Sequence, residues 1–322
     1  MITRKKKRLR IFFMGTPIFS LPSLISLLQH EKVVGIATQP DKPAGRGRKF
    51  TLSAVKEVAL HKKISLYQPE KIDGNFLKKL STLNIDVIVV VAYGKKLPVK
   101  LLHIPRLECI AAHPSLLPKY RGAAPIEWAI IRGEKKTGVT IIRVNEEIDA
   151  GDIILQEEID ISPDETTQNL GQRLSSLAAR MLQESLKQIE AGNAKYTLQQ
   201  GEVSTARSIR KADGLIRWSS KAHEIHDLVR GLNPRIGAYT HLHRKMLKIW
   251  KTEIISNNKA SLTNHQLGEI IGLKNGIMVN VAEGAILIKE LQPENRRKMS
   301  AVEYLSGHTI RIGSLFKDKI SG

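Results

Sequence analysis

The order of apolar and polar positions predicts two architectures along one chain. In the first, longer part, short continuous apolar runs alternate with stretches in which apolar residues recur every three or four positions. The runs are typical of buried strands and the stretches of amphipathic helices. They predict strands at 9–14, 33–37, 87–91, 109–112, 139–144 and 153–159, and helices at 19–28, 53–60, 76–83, 123–132 and 167–191. This alternation indicates an α/β fold with a Rossmann-like, doubly wound, mainly parallel sheet.

The rest of the chain follows a different pattern. A helix is predicted at 222–229, and short strand-like runs separated by Gly and Asn follow at 238–242, 247–250, 269–273, 276–281 and 285–291. Several short strands at this spacing favour a small, OB-like β-barrel. Residues 192–208 lack sustained periodicity. We therefore predict an N-terminal domain over 9–191, a linker over 192–208 and a C-terminal domain over 209–322.

Composition limits the class of protein. Of the 322 residues, 42% are hydrophobic and 25% charged, a globular mix that excludes a disordered or fibrous chain. No apolar run reaches the roughly 20 residues of a membrane helix, and basic residues 4–10 precede no signal-like segment. The single cysteine, Cys109, and the scattered histidines leave no disulfide and no credible metal site. We expect a cytoplasmic protein without a membrane or metal partner; no sequence feature determines its oligomeric state, for which we expect a monomer.

The net charge favours a polyanionic partner. The chain carries 51 Lys and Arg against 31 Asp and Glu, a formal charge of +20. Residues 205–322 hold 20 of these basic and 10 of these acidic residues, so the C-terminal part is the more basic body. Such an excess attracts nucleic acid and other phosphate-rich molecules, although charge alone is also consistent with simple solubility.

Residues 38–50, TQPDKPAGRGRKF, form a second basic feature. Two prolines and two glycines predict a loop without regular structure. The positive charges of the loop favour contact with phosphates, and a solvated surface loop is the alternative. The glycines do not form a dinucleotide-binding fingerprint, because the third glycine is missing and the loop does not follow the first strand.

The stretch 109–125, CIAAHPSLLPKYRGAAP, carries the candidate chemistry. His113 follows a predicted strand, and parallel sheets bind ligands at the carboxyl ends of their strands. Asp149 lies 36 residues later in the segment Asp149-Ala150-Gly151, where an aspartate is by default a turn residue. From these residues alone, a structural histidine and a turn aspartate remain open, since only the fold could bring the two side chains together.

Eight segments together resemble the methionyl-tRNA formyltransferase family. They are GTP at 15–17, QPDKPAGRGRK at 39–49, VVVAYG at 89–94, HPSLLPKYRGAAP at 113–125, GVTI at 138–141, IDAGDI at 148–153, NPRIGAYT at 233–240 and ELQPENRRKMSAVEYLSG at 290–307. The SLLPKYRG stretch alone resembles the broader formyltransferase group, which includes enzymes acting on glycinamide ribonucleotide and on aminosugars. The AGRG loop and the QPENRRKMSA segment are similar to those of the tRNA enzymes.

The resemblance implies a formyltransferase fold and transfer of a formyl group from the co-substrate 10-formyltetrahydrofolate to the amino group of initiator methionyl-tRNA. It implies that His113 and Asp149 are catalytic, since histidine exchanges protons near neutral pH and a neighbouring carboxylate can orient it. Residues implied to line the folate pocket are Ser115, Leu116, Leu117 and Pro118. We expect the second domain and the basic loop to bind tRNA, with contacts from Arg46, Lys49, Lys245 and Lys248.

One implied catalytic position departs from the family pattern. The family has an asparagine two positions before the histidine, whose amide donates to the formyl oxygen, and this chain has Ala111 there. Loss of one oxyanion donor typically lowers a rate about 10²–10³-fold. Arg235-Ile236 is a second departure, where the family usually has Trp-Pro.

The prediction is therefore a methionyl-tRNA formyltransferase, and three alternatives stay open. One is a formyltransferase-like protein that binds folate or tRNA with impaired catalysis because of Ala111. Another is a related enzyme acting on a nucleotide sugar or a small amine. The last is a purely structural RNA-binding protein.

Overall fold

The computed structural model describes residues 8–44, 49–255 and 265–318. The chain divides into two compact units, neither of which is continuous in sequence. The first comprises Met1–Pro125, Lys136–Ile159 and Gly171–Arg207, and the second comprises Ile126–Lys135, Asp160–Leu170 and Ser208–Gly322. The functional domains expected over 9–191 and 209–322, with their linker, stay a prediction.

Strands and helices alternate along the first part of the chain. The strands are β1 (Arg10–Gly15), β2 (Lys32–Ala37), β3 (Lys42–Ala44), β4 (Lys49–Thr51), β5 (Leu66–Tyr67), β6 (Val87–Val91), β7 (Glu108–His113), β8 (Arg121–Gly122), β9 (Lys136–Arg143), β10 (Ile153–Asp160) and β11 (Thr205–Ala206). The helices are α1 (Leu21–His30), α2 (Ala54–His61), α3 (Gly74–Ser81), α4 (Val99–Leu102), α5 (Pro125–Ile131) and α6 (Thr167–Glu190), and a 3-10 helix spans Ile18–Ser20.

A seven-stranded sheet organises the first unit. Its strand order is β10-β9-β7-β6-β1-β2-β5. Strands β1, β2, β5, β6 and β7 pair in parallel, whereas β9 pairs with β7 in the antiparallel sense. Strands β1 and β6 are almost entirely buried, which agrees with their continuous apolar runs. The predicted α/β fold with a mainly parallel sheet is confirmed.

Local capping explains where two helices begin. The hydroxyl of Ser53, directly before α2, accepts a hydrogen bond of 3.1 Å from the Lys56 amide. The carboxylate of Asp73 accepts one of 2.9 Å from the Phe76 amide at the start of α3. Each side chain satisfies an amide that the first helical turn leaves without an intrahelical partner.

The basic loop contains regular structure, so its prediction as an irregular loop was wrong. Strands β3 and β4 pair in the antiparallel sense, with Lys42 opposite Thr51 and Pro43 opposite Phe50. A two-stranded hairpin tolerates proline because each strand has an edge whose N–H groups need no ladder partner. Arg46 lies outside the residues that the structure describes.

The segment predicted to link the domains makes specific contacts within the first unit. Strand β11 pairs in parallel with β8, with Thr205 opposite Arg121 and Ala206 opposite Gly122. The backbones of Thr197 and Ile153 exchange hydrogen bonds of 2.8 and 2.9 Å. These short pairings produce no periodic pattern in the sequence, so periodicity could not reveal them.

The second unit contains an antiparallel sheet. Its strands are β12 (Ala238–Leu242), β13 (Lys245–Ile255), β14 (Ile270–Gly272), β15 (Ile277–Asn280), β16 (Ala285–Pro293) and β17 (Met299–Ser300). Its further helices are α7 (Ala222–Gly231), α8 (Ala301–Gly307) and a 3-10 helix at Lys211–Gly214. The strand order is β12-β13-β16-β15-β14, and β17 pairs with β16.

The core of the second unit forms between α7 and this sheet. Ile225 and Val229 of α7 are buried in one apolar cluster with Ile249 and Ile288 of the sheet. Trp218 stacks on Phe316 with ring centroids 5.1 Å apart. The predicted small C-terminal β-barrel is confirmed in class as an antiparallel half-barrel. In the described part of the chain, no helix is long and apolar enough to cross a membrane.

Candidate active site

The candidate site lies at the carboxyl ends of the parallel strands, where β1 ends at Gly15, β7 ends at His113 and Tyr93 follows β6. Gly15, Val91 and Ala112 form one row across β1, β6 and β7, so these strands end at the same edge of the sheet. The loops beyond them are joined, because the Tyr93 carbonyl accepts hydrogen bonds from the Thr16 hydroxyl (3.3 Å) and the side-chain amide of Gln39 (2.9 Å).

The imidazole of His113 is held between two partners. The side chain is 7% exposed. Its Nε2 lies 2.9 Å from the Tyr120 carbonyl oxygen, and its Nδ1 lies 3.5 Å from Oδ2 of Asp149. A carbonyl oxygen can only accept, so Nε2 carries a proton and donates it. The fold therefore brings together the two side chains that the sequence separates by 36 residues.

Asp149 approaches the histidine from a strained turn. Its φ is 53°, in the left-handed region that costs a non-glycine residue about 1 kcal/mol or more. The amide of Gly122 donates a 2.8 Å hydrogen bond to Asp149 Oδ2, the same oxygen that faces the ring. The side-chain amide of Gln199 donates to the carbonyl oxygens of Asp149 and Gly151, at 2.9 Å each. These contacts hold the carboxylate in place.

Tyr120, the other partner of the ring, also lies in left-handed backbone, with a φ of 62°. Its amide donates a 2.9 Å hydrogen bond to the hydroxyl of Ser204. Both neighbours of His113 are thus held by residues from the segment that the sequence predicts as a linker. Sequence periodicity does not reveal Gln199, Ser204 and Tyr120; the one available signal for Tyr120 was its place within a resembling segment.

The loop Ser115, Leu116, Leu117 and Pro118 uses most of its polar backbone atoms in contacts with the protein. Thr140 accepts a 3.2 Å hydrogen bond from the Leu117 amide and donates one of 2.7 Å to the Ser115 carbonyl. Gln156 donates to the Leu117 carbonyl at 3.0 Å. Leu116 is half-buried, whereas the other three residues are buried. Leu116 is therefore the member of the loop with most surface for a ligand.

Ala111 lies two residues before His113 on β7, so the two side chains project from the same face of the sheet. Its neighbours across the sheet are Val90 on β6 and Ile142 on β9. Ala111 is half-buried. This position therefore offers an apolar methyl group, without a hydrogen-bond donor, beside the histidine.

An ion pair anchors the entry to the basic hairpin. Asp41 bonds to Lys56, and Gln68 donates to the other carboxylate oxygen of Asp41 at 3.0 Å. The hydrogen bonds from Lys56 and Gln68 hold the pKa of Asp41 below its usual value. Lys49 begins β4, beyond the residues 45–48 that the structure does not describe.

The two predicted tRNA-binding lysines of the second unit differ in surroundings. Lys245 is exposed at the start of β13. Lys248 is half-buried, and its ammonium donates a 2.6 Å hydrogen bond to the Ile236 carbonyl and lies 5.5 Å from the centroid of the Trp250 ring. The structure thus leaves Lys245 open to solvent and engages Lys248 within the unit.

Burial strongly affects the hydroxyl of Tyr93, which lies near the carboxyl end of β6. The ring of Tyr93 is 1% exposed, and desolvation raises the pKa of its hydroxyl to about 12. No hydrogen-bond partner for this hydroxyl is found among the described residues.

Among the residues that the structure describes, no group of three or more His, Cys, Asp or Glu side chains is placed to hold a metal ion.

Comparisons with known proteins agree in both halves of the chain. A family model described as "Formyl transferase" matches residues 9–186, and one described as "Formyl transferase, C-terminal domain" matches 208–309. Methionyl-tRNA formyltransferase of Clostridioides difficile is 44% identical over 95% of this chain and 99% of its own length. That of Caldanaerobacter subterraneus is 45% identical over 96% of this chain and 100% of its own length.

Among solved structures, the chain resembles HypX from Aquifex aeolicus in complex with tetrahydrofolic acid. The TM-score is 0.61 at 16% identity, over 93% of this chain and 47% of that one. The chain thus spans about half the length of HypX, and at this identity the likeness shows the fold alone.

The turn that carries Asp149 should not accept a side chain at Gly151. A Cβ at Gly151 would lie 1.7 Å from the Arg143 carbonyl oxygen, which is rigid backbone. We expect Gly151→Ala to lower the free energy of unfolding by about 1–3 kcal/mol, the typical cost of overpacking. Urea denaturation of both proteins measures it.

Gly74→Ala is the matched control. A Cβ there meets nothing within 4 Å, and alanine at the start of α3 should leave stability unchanged or raise it by up to about 1 kcal/mol. If Gly151→Ala is as stable as Gly74→Ala, the turn is not sterically fixed.

Proposed function

The chain belongs to the methionyl-tRNA formyltransferase family, and from this premise we propose that His113 and Asp149 carry the transfer of a formyl group to methionyl-tRNA. The observation that carries the proposal is the His113 ring, held with Nε2 on the Tyr120 carbonyl and Nδ1 facing the carboxylate of Asp149. The names of the relatives favour an enzyme, and the comparisons give no support to the alternative of a binding protein with impaired catalysis.

The hydrogen bond to Tyr120 determines which nitrogen of His113 acts. Because Nε2 donates to a carbonyl, the neutral ring has its lone pair on Nδ1. This is the nitrogen beside Asp149. A base at Nδ1 becomes an imidazolium when it takes a proton, and a carboxylate 3.5 Å away stabilises that charge.

The reaction then proceeds in two steps. The neutral amine of methionyl-tRNA attacks the formyl carbon, a C–N bond forms, and a tetrahedral oxyanion develops while the amine proton passes to His113 Nδ1. The bond from the formyl carbon to the donor nitrogen then breaks, and the leaving nitrogen takes the proton from His113. His113 thus acts first as the general base and then as the general acid, because one positioned group carries the same proton through both steps.

We propose 10-formyltetrahydrofolate as the formyl donor. The family implies a folate-derived donor, and the HypX structure of the same fold was solved in complex with tetrahydrofolic acid. Within the loop of Ser115, Leu116, Leu117 and Pro118, most polar backbone atoms already have protein partners. Contact with the flat donor would therefore come mainly from apolar surface such as Leu116, which suits a heterocycle.

Initiator methionyl-tRNA is the proposed acceptor, in the cytoplasm, and the second unit offers a basic edge for it. His243 and Arg244 form the two-residue turn between β12 and β13, with φ of 49° and 63°. Lys245 follows, and a 3.2 Å hydrogen bond from the Glu294 amide to the Met246 carbonyl brings exposed Arg296 into the same region. We propose phosphate contacts through Arg244, Lys245 and Arg296, with a smaller contribution from Lys248, whose ammonium is already bonded within the unit. Arg46 and Lys49 of the basic segment 38–50 remain proposed contacts.

The catalytic pair is tested by Asp149→Asn. The asparagine can still accept from the Gly122 amide but has no charge to stabilise the imidazolium. We expect the single-turnover rate of formyl transfer to fall about 10²–10⁴-fold, with the Kd for methionyl-tRNA unchanged. Asp152→Asn, a neighbour with no described side-chain bond, is the control. A rate unchanged in Asp149→Asn would contradict the proposed roles.

Ala111→Asn tests whether this chain lacks an oxyanion donor. If it does, the asparagine should raise the single-turnover rate about 10²-fold or more. Ala111→Leu, which introduces a side chain of similar bulk without a donor, should give no gain. An unchanged rate in Ala111→Asn, with a fast parent protein, would mean that another group already stabilises the oxyanion.

The salt dependence of tRNA binding tests the basic edge. Each phosphate contact contributes about 0.7–0.9 to the slope of log affinity against log salt concentration. The double variant Arg244→Ala/Lys245→Ala should therefore lower this slope by about 1.4–1.8. Lys274→Ala, on the β14–β15 turn at the opposite edge of the sheet, should lower it by less. Equal losses would show that the edge has no special role.

A further inference from the structure

We infer that residues 197–206, which we call the strap, position both partners of the His113 ring. The inference rests on the function proposed above and adds two positioning residues to it, Gln199 and Ser204. Neither is proposed to touch the substrate. Each acts through the backbone of a residue that contacts the imidazole.

Gln199 holds the turn of the catalytic carboxylate with its whole amide group. Its Nε2 donates to the carbonyl oxygens of Asp149 and Gly151, at 2.9 Å each, so both of its hydrogens are used within one turn. Its Oε1 accepts from Nη2 and Nε of Arg121, at 2.6 and 3.1 Å. These two carbonyl groups belong to the residues on either side of Ala150. The pair of hydrogen bonds from Gln199 therefore fixes the orientation of the turn and of the Asp149 side chain.

Ser204 holds the opposite partner of the ring. Its hydroxyl accepts from the Tyr120 amide at 2.9 Å. Its backbone carbonyl accepts from the Arg121 amide at 2.9 Å, and its backbone amide donates to the Pro118 carbonyl at 3.3 Å. The carbonyl of Tyr120 determines the tautomer of His113. Tyr120 is bonded to the strap through its own amide, and the next residue, Arg121, is bonded to the strap through its amide.

The strap is itself fixed near both of its ends. Thr197 exchanges two backbone hydrogen bonds with Ile153, and Ala206 accepts from the amides of Ala123 and Ala124 at 2.8 and 3.0 Å. Gln199 and Ser204 thus extend from a segment that is anchored on the same elements that carry the site. The anchors keep the separation of the two contacts constant.

Apolar packing does not explain the strap. Its large apolar side chains, Leu198 and Val203, are 73% and 54% exposed. Its polar side chains at 199 and 204 are half-buried and directed at the two left-handed residues, Asp149 and Tyr120. The inward-facing side chains of the strap therefore contact the residues that hold His113, and the strap contributes little to the apolar core.

Gln199→Ala tests the first contact, with Gln200→Ala as the matched control. Gln200 is an exposed neighbour of the same type with no described side-chain bond. We expect Gln199→Ala to lower the single-turnover rate of formyl transfer about 10–100-fold, as a displacement of about 1 Å would. The KM values for tRNA and donor should stay constant and Gln200→Ala should match the parent. Equal rates in the two variants would overturn the inference.

Gln199→Glu separates positioning from folding. The glutamate can still accept from Arg121, but it cannot donate to the Asp149 and Gly151 carbonyls. We expect Gln199→Glu to lose at least as much rate as Gln199→Ala does. We expect its melting temperature to be no lower than that of Gln199→Ala. A parent-like rate in this variant would overturn the role of the two donated hydrogen bonds.

The contact of Ser204 is tested in the same way. Ser204→Ala should lower the rate, whereas Ser204→Thr, which keeps the hydroxyl, should have a parent-like rate. A rate in Ser204→Thr as low as in Ser204→Ala would overturn the role of the Ser204 hydroxyl.

A double-mutant cycle with Asp149→Asn distinguishes the strap from the proposed function. If Gln199 acts through Asp149, adding Gln199→Ala to Asp149→Asn should cost little further rate, less than about 3-fold. Fully additive losses would show a general structural effect and overturn the inference. A parent-like rate in Asp149→Asn alone would refute the proposed function, whereas a slow Asp149→Asn beside a fast Gln199→Ala would refute the strap alone.

Discussion

The His113 ring needs two fixed neighbours, and both of them occupy backbone conformations that their side chains disfavour. Tyr120 and Asp149 have φ of 62° and 53°. Left-handed backbone persists in non-glycine residues only where the surroundings over-determine it. Here the Gly122 amide and the Gln199 side-chain amide donate hydrogen bonds to Asp149, and the Tyr120 amide donates one to the Ser204 hydroxyl.

The sheet supplies the fixed frame. Strands β1, β6 and β7 end in register, which places His113 at the edge where loops from several strands meet. The antiparallel neighbour β9 leads directly into the turn of Asp149, and the Arg143 carbonyl at its end leaves no room for a side chain at Gly151. The buried apolar strands thus make the frame of the site rigid, and the polar contacts at the strand ends orient the side chains of the site.

Ala111 stands where the sequence resemblance implies an asparagine. The methyl group of Ala111 lies in a row with Val90 and Ile142, so the sheet presents an apolar surface where the resemblance implies an amide. The histidine, its carboxylate and their supports are nevertheless all in place. The proposed mechanism therefore has two contributions that experiments can measure independently, proton transfer at His113 and stabilisation of the oxyanion.

Sequence alone determined the classes of structure and the chemistry of individual residues. Periodicity predicts the strands that form β1, β6 and β7 because burial imposes apolar residues on them, and the resemblance identifies His113 and Asp149. Only the tertiary structure decided their partners. Gln199 and Asp149 are 50 residues apart and Tyr120 and Ser204 are 84 apart, so no local pattern records the pairing. The hairpin β3–β4 escaped prediction for a related reason, since proline and glycine content reports local preference whereas cross-strand pairing is decided by the chain that lies opposite.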